Sequence, residues 1–126
     1  MIALNIKGTN KSPSVTCVAE NGFIEISGMS YAEDAFAFYE PIFNWLNDYL
    51  KIIAPVTEFN MKVKYFNTSS VKCIFDIMEI LSEWSKKGHK VQINWYYDTE
   101  DEEMKDTGEN FGNILNLDVN LVEEVS

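Results

Sequence analysis

The spacing of apolar residues changes abruptly at "KYFNTSSVKCIF", residues 64 to 75. Before this point the chain alternates. Phe59, Met61, Val63 and Tyr65 are set to face one way, and Glu58, Asn60, Lys62 and Lys64 the other, as in a half-buried strand. After it, Val71, Ile74, Phe75, Ile77, Met78, Leu81 and Trp84 form one stripe of a helix from about Thr68 to Lys87. Lys72, Asp76, Glu79, Glu83 and Lys86 form the wet side. A switch from period two to period 3.6 with so short a connection is a strand feeding a helix. The helix stops at "KKGHK", where lysines suit the negative end and Gly88 suits a left-handed cap.

The rest of the chain repeats this logic. "ALNI" reads as a short first strand and "GTNKSPS" as a turn-rich loop. "SVTCVA" and "GFIEIS" around "ENG" predict a β-hairpin. From Tyr31 to Ile53 the pattern is helical. Ala35, Phe36, Phe38, Tyr39, Ile42, Phe43, Trp45, Leu46, Tyr49 and Leu50 lie on one side, and Glu33, Glu40, Asn44, Asn47 and Lys51 on the other. Pro41 leaves the phase unbroken, so it either kinks one helix or starts a second segment. "VQINWYY" is another strand. "DTEDEEMKDTGE" predicts a short acidic helix held through Met104 and Phe111. "ILNLDVNLVEEV" predicts a last strand or amphipathic edge. The order implies an α/β chain: one mixed sheet with its main helices packed on one face. At 126 residues, without an internal repeat or a long linker, residues 1–126 read as a single domain.

Composition narrows the function. The formal charge is −10, and all ten basic residues are lysines. Nucleic acid is not an expected partner, because backbone binding needs a basic footprint. An arginine fork for phosphate is absent from this chain. No apolar run suits a membrane span and no signal-peptide pattern opens the chain, so the expected location is cytoplasmic. Cys17 and Cys73 fall inside predicted elements, as reduced, buried thiols do. The acidic segment reads as a solvated surface helix or as a docking face for a basic partner. His89, the one histidine, lies just past a helix stop. No catalytic, cofactor or metal motif is present in the sequence. A hydrolase using Ser or Thr would need His89 within reach of a hydroxyl.

The polar knot Asn67-Thr68-Ser69-Ser70 remains. A helix mouth carries unpaired N–H groups and partial positive charge, and one of Asn67, Thr68 or Ser69 would serve as an ordinary cap. A cap explains one or two of the four residues. Alternatively, a hydroxyl here is phosphorylated, which adds about −1.5 to −2 charges and three acceptor oxygens.

These blocks resemble the SiaC-type biofilm regulation phosphoproteins, whose fold is similar to anti-anti-sigma factors (STAS-like). The resemblance covers nearly the whole chain. It rests on "GTNKSPSV", "FIEISGMSYAEDAFAFYEPIFNWLNDYL", "KVKYFNTSSVKCIFDIMEIL" and "VQINWYYDTEDEEMKDTGENF", in that order. It implies a non-enzymatic partner-switching module with no cofactor. Thr68 matches the threonine that a cognate Ser/Thr protein kinase phosphorylates and a PP2C-type phosphatase restores. The unmodified form would bind and activate a diguanylate cyclase, raising cyclic di-GMP in biofilm control, and phosphorylation would block this. The alternative is an anti-anti-sigma-like regulator that binds an anti-sigma kinase. Asn67, Ser69 and Ser70 are expected to shape the site. Thr9, Asn10, Lys11, Tyr31, Tyr39 and Glu40 are candidates for the partner surface.

Overall fold

The structure is a computed structural model and describes residues 1–125. Six strands form one sheet in the order β1-β2-β3-β4-β5-β6. They are β1 (Leu4–Ile6), β2 (Ser14–Val18), β3 (Phe23–Ser30), β4 (Val56–Phe66), β5 (Lys90–Asp98) and β6 (Val119–Glu124). The first two neighbour pairs are antiparallel and the other three parallel. The helices α1 (Ala35–Tyr49), α2 (Thr68–Lys86) and α3 (Glu102–Leu115) are the crossovers between the parallel strands. Each crossover steps the same way along the sheet. Right-handed connections therefore place all three helices on the same face. The mixed α/β sheet with helices on one face is the architecture the sequence predicts.

The core lies between that face and the helices. Ile24, Ile26, Phe59, Met61, Val63, Ile93 and Trp95 point into it from the sheet. Ile42, Leu46, Ile74, Ile77, Met78 and Leu81 meet them from α1 and α2. The helix expected from Tyr31 begins later, at Ala35, because β3 runs on to Ser30 and Asp34 caps α1 by accepting from Ala37 N–H at 3.0 Å. Pro41 sits inside α1 without dividing it, and a 3-10 turn at Leu50–Ile52 ends the segment. Phe36 was expected on the buried side but is 65% exposed, because it lies in the first turn, at the margin of the stripe.

Two departures occur in β4. Asn60, expected on the wet side, is buried. It lies on the helix-free face, in register with Glu25, Asn94 and Asn120. Asn94 Nδ2 donates to Asn60 Oδ1 at 3.0 Å and Asn120 Nδ2 donates to Asn94 Oδ1 at 3.1 Å. A satisfied amide ladder makes that burial tolerable. Tyr65 departs the other way and is 51% exposed. Gly28 pairs with Val63 but Met29 pairs with Tyr65, so Lys64 has no opposite residue in β3. That extra residue inverts the alternation of β4. Tyr65 turns out and Phe66 turns in, where its ring meets Trp95 edge-on at 6.4 Å.

The acidic helix α3 packs by small residues. Gly108 lies against Trp95, whose Nε1 donates to Met104 O at 2.9 Å. Asp101 caps the helix and Glu102 and Glu103 occupy its positive first turn.

Candidate functional site

The site lies at the carboxyl ends of β3 and β4, where chain leaves the sheet for α1 and α2. Asn67 is the cap of α2 and is held from four directions. Its N–H donates to Ser30 O at 2.9 Å. Its Oδ1 accepts from Ser70 N–H at 2.9 Å, its Nδ2 donates to Ala32 O at 3.2 Å, and its own carbonyl accepts from Val71 N–H at 3.0 Å. A short amide side chain at this position both satisfies the helix mouth and ties it to the preceding loop.

The three hydroxyls have different environments. Ser70 is fully buried. Ser30 Oγ donates to Ser70 Oγ at 2.9 Å, and Ser30 Oγ lies 2.6 Å from Tyr39 Oη. With the Ser30 hydrogen committed to Ser70, Tyr39 donates to Ser30. Burial pushes the Tyr39 phenol up to about 12, so it remains a protonated donor. Thr68 and Ser69 are exposed and carry the accessible hydroxyls of the knot.

Tyr39 was expected to border a partner surface. It is instead completely buried, and its hydroxyl is consumed inside the protein. The helical pattern put it correctly on the apolar side of α1; the tertiary structure encloses that side. Glu40, its neighbour, is exposed one turn on from Phe36.

Thr68 and Ser69 line a shallow groove of about 630 Å³ between the first turns of α1 and α2. Ala35, Phe36 and Cys73 give it apolar surface, and Glu33, Asp34 and Asp76 give it acid. Its one lysine, Lys72, is bonded to Asp76 at 2.8 Å, and that bond pushes the Lys72 pKa up. Burial, followed by the charge of Asp76, raises the Cys73 thiol, so it stays protonated.

The 8 to 15 loop is brought alongside. Tyr31 N–H donates to Lys11 O at 2.9 Å. Thr9 is exposed, but its Oγ1 folds the loop by accepting from Lys11 N–H and Ser12 N–H at 3.1 and 3.0 Å. Asn10 and Lys11 point to solvent. Tyr31 is half-buried and meets the out-turned Tyr65 edge-on at 5.6 Å. Ser30, Asp34, Phe36, Cys73 and Asp76 complete the site and were not singled out from the sequence as site residues. Asp34 carried a usable signal, a short acid just before an apolar helical run. Ser30 carried none.

His89 is at the other end of α2, where its N–H donates to Trp84 O at 3.1 Å. The knot opens the nineteen-residue helix α2, roughly 28 Å long, and His89 lies beyond its other end. A pairing of His89 with a hydroxyl of the knot is therefore excluded. Among the described residues, no group of His, Cys, Asp and Glu is arranged to hold a metal ion. Among the same residues, no helix is long and apolar enough to cross a membrane.

Comparison with known proteins gives consistent matches. The family model described as the SiaC family regulatory phosphoprotein matches residues 6–124. An uncharacterized protein of Pseudomonas aeruginosa (strain UCBPP-PA14) is 29% identical over 111 residues, 88% of each chain. SiaC of Pseudomonas aeruginosa is similar over all of both chains, with a TM-score of 0.86 and 25% identity. A chain in the crystal structure of the diguanylate cyclase SiaD in complex with its activator SiaC, from the same species, gives a TM-score of 0.90. It is 26% identical, covering 96% of this chain and 99% of that one.

Proposed function

This chain belongs to the SiaC family of regulatory phosphoproteins, and from that premise we propose that it is a non-enzymatic partner switch controlled at Thr68. In its unmodified form it binds and activates a diguanylate cyclase. A Ser/Thr protein kinase adds phosphate to Thr68 and a PP2C-type phosphatase removes it. The module acts as one domain in the cytoplasm. The observation that carries this reading is the exposure of Thr68 at the first position of α2, on the wall of a part-apolar groove.

Physical magnitudes support a switch of binding over a switch of fold. A phosphate at a helix N-terminus is favoured by roughly 0.3 to 1 kcal/mol. That is too little to remodel the core. A phosphate closed into an interface without a partner costs several kcal/mol. Since about 1.4 kcal/mol is a tenfold change in affinity, binding is lost while the fold persists. The groove offers no free arginine, and Lys72 is already engaged by Asp76.

The test is titration calorimetry against a diguanylate cyclase of the same organism, with cyclic di-GMP output measured in parallel. Wild type and Thr68→Ala are expected to bind and activate. Thr68→Asp and the Thr68-phosphorylated protein are expected to bind at least about tenfold more weakly. Equal affinity for all four forms would sink the reading. Stable capture of an anti-sigma kinase in place of a cyclase would redirect it to transcription control.

A further inference from the structure

A chain of buried hydroxyls ends in the same first turn of α2 that carries the exposed Thr68. The chain Tyr39–Ser30–Ser70 links the second turn of α1, the last residue of β3 and the first turn of α2, with separations of 2.6 and 2.9 Å. All three residues are essentially inaccessible: Tyr39 and Ser70 are 0% exposed and Ser30 is 1%. The same β3 terminus also accepts Asn67 N–H through Ser30 O, at 2.9 Å. Ser30 thus touches α2 twice, through its carbonyl to the cap and through its hydroxyl to the first turn. Thr68 lies between those two points. A packed core needs none of this polarity, because burying three hydroxyls is costly unless every one is satisfied. The network fixes orientation at one point of the surface, the mouth of α2.

We infer that Tyr39 and Ser30 are positioning residues for phosphoryl acceptance at Thr68, holding the first turn of α2 so that the Thr68 hydroxyl is presented outward in one geometry. The inference rests on the reading of Thr68 as the acceptor. In that step Thr68 Oγ bonds to the terminal phosphorus of a nucleoside triphosphate, and the bond from that phosphorus to the bridging oxygen breaks. The nucleoside diphosphate leaves, and the hydroxyl proton passes to a base on the kinase. An in-line displacement is sensitive to placement, and a misfit of about 1 Å costs up to about a hundredfold. Ser70 lies two residues on and is excluded from acceptance, because its oxygen is enclosed by the same network.

The experiment compares Tyr39→Phe with Tyr49→Phe. Both variants remove one buried phenol hydroxyl from α1. Tyr49 bonds Thr57 Oγ1 at 2.8 Å and Ala54 N–H at 3.1 Å, ten residues further along and away from Thr68. Each protein is incubated with ATP in soluble extract of its own organism. Thr68 occupancy is followed by mass spectrometry over a range of protein concentrations. Amide exchange at residues 67–71 is measured separately on purified protein.

Tyr39→Phe is expected to lower kcat for Thr68 at least about fivefold with KM within about twofold, since the exposed docking residues are untouched. Exchange at residues 67–71 should quicken about tenfold. Tyr49→Phe should leave both unchanged, even where its melting temperature falls as far. Ser30→Ala should follow Tyr39→Phe. A wild-type rate in Tyr39→Phe overturns the inference and leaves the acceptor reading standing, and an equal loss in Tyr49→Phe reduces the effect to general stability and overturns it too. If wild type takes no phosphate at Thr68, the acceptor reading fails. The exchange data then decide the pinning alone: faster exchange in Tyr39→Phe retains it and unchanged exchange refutes it.

Discussion

Asn67 and Thr68 are consecutive, yet one points into a hydrogen-bond ring and the other into solvent. Removing the Asn67 side chain loses the cap of α2 and the bond to Ala32 O together. Asn67→Ala should cost about 1 to 2 kcal/mol in urea denaturation. Thr68→Ala should cost under about 0.5 kcal/mol, because an exposed first-turn side chain caps nothing here. A second sensitive residue is Gly108. A Cβ there would lie 2.6 Å from the Trp95 ring. Gly108→Ala should destabilise by about 1 to 3 kcal/mol despite its better helix propensity, because overpacking outweighs propensity. A melting temperature equal to wild type would contradict the close contact.

At the scale of elements, β4 and β5 are joined by an amide ladder on the helix-free face. Asn94 occupies its centre, donating to Asn60 and accepting from Asn120. Asn94→Ala leaves the buried Asn60 Oδ1 without that donor. We expect a loss of about 1 to 3 kcal/mol with an unchanged m-value in urea. Edge strand β6 gains protection from the acids Asp118, Glu123 and Glu124. Self-pairing of two copies there in antiparallel register would bring like charges together.

At the scale of the whole molecule, buried acids of the neutral type contribute to behaviour at high pH, and Cys73 is raised in the same direction as the two largest cases. Burial raises Cys17 from 9.0 to about 12 and Tyr39 from 10.0 to about 12. The unfolded chain releases these protons first, so the folded chain binds more protons across the window between. The stability these groups contribute is therefore fully present below about pH 9 and is lost as pH rises toward 12. Tyr39→Phe should flatten the part of that decline above pH 10, by about 2 to 3 kcal/mol at its end. Denaturation midpoints taken at steps from pH 8 to 11.5 check this, and identical slopes for the two proteins would refute it. At neutral pH the charge of −10 opposes compaction, so added salt should raise the melting temperature.

The sequence alone determined the order of elements, the stripe of α2 and the polar knot at its mouth, because period and capping chemistry are local. It also pointed to the family through the resemblance of whole blocks, and the family model matches residues 6–124. Only the tertiary structure decided which face of a residue meets water. Periodicity gave Tyr39 and Phe36 the same side of α1, but one is enclosed and the other is 65% exposed. Alternation set Tyr65 inward, until one unpaired residue in β4 reversed it. Asn60 was polar and so assigned to solvent, but partners on neighbouring strands made its burial tolerable. Ser30 lies 40 residues from Ser70 in the chain, and no local pattern announces a bond between them. Contacts of that range exist only once the sheet has set the register that brings them together.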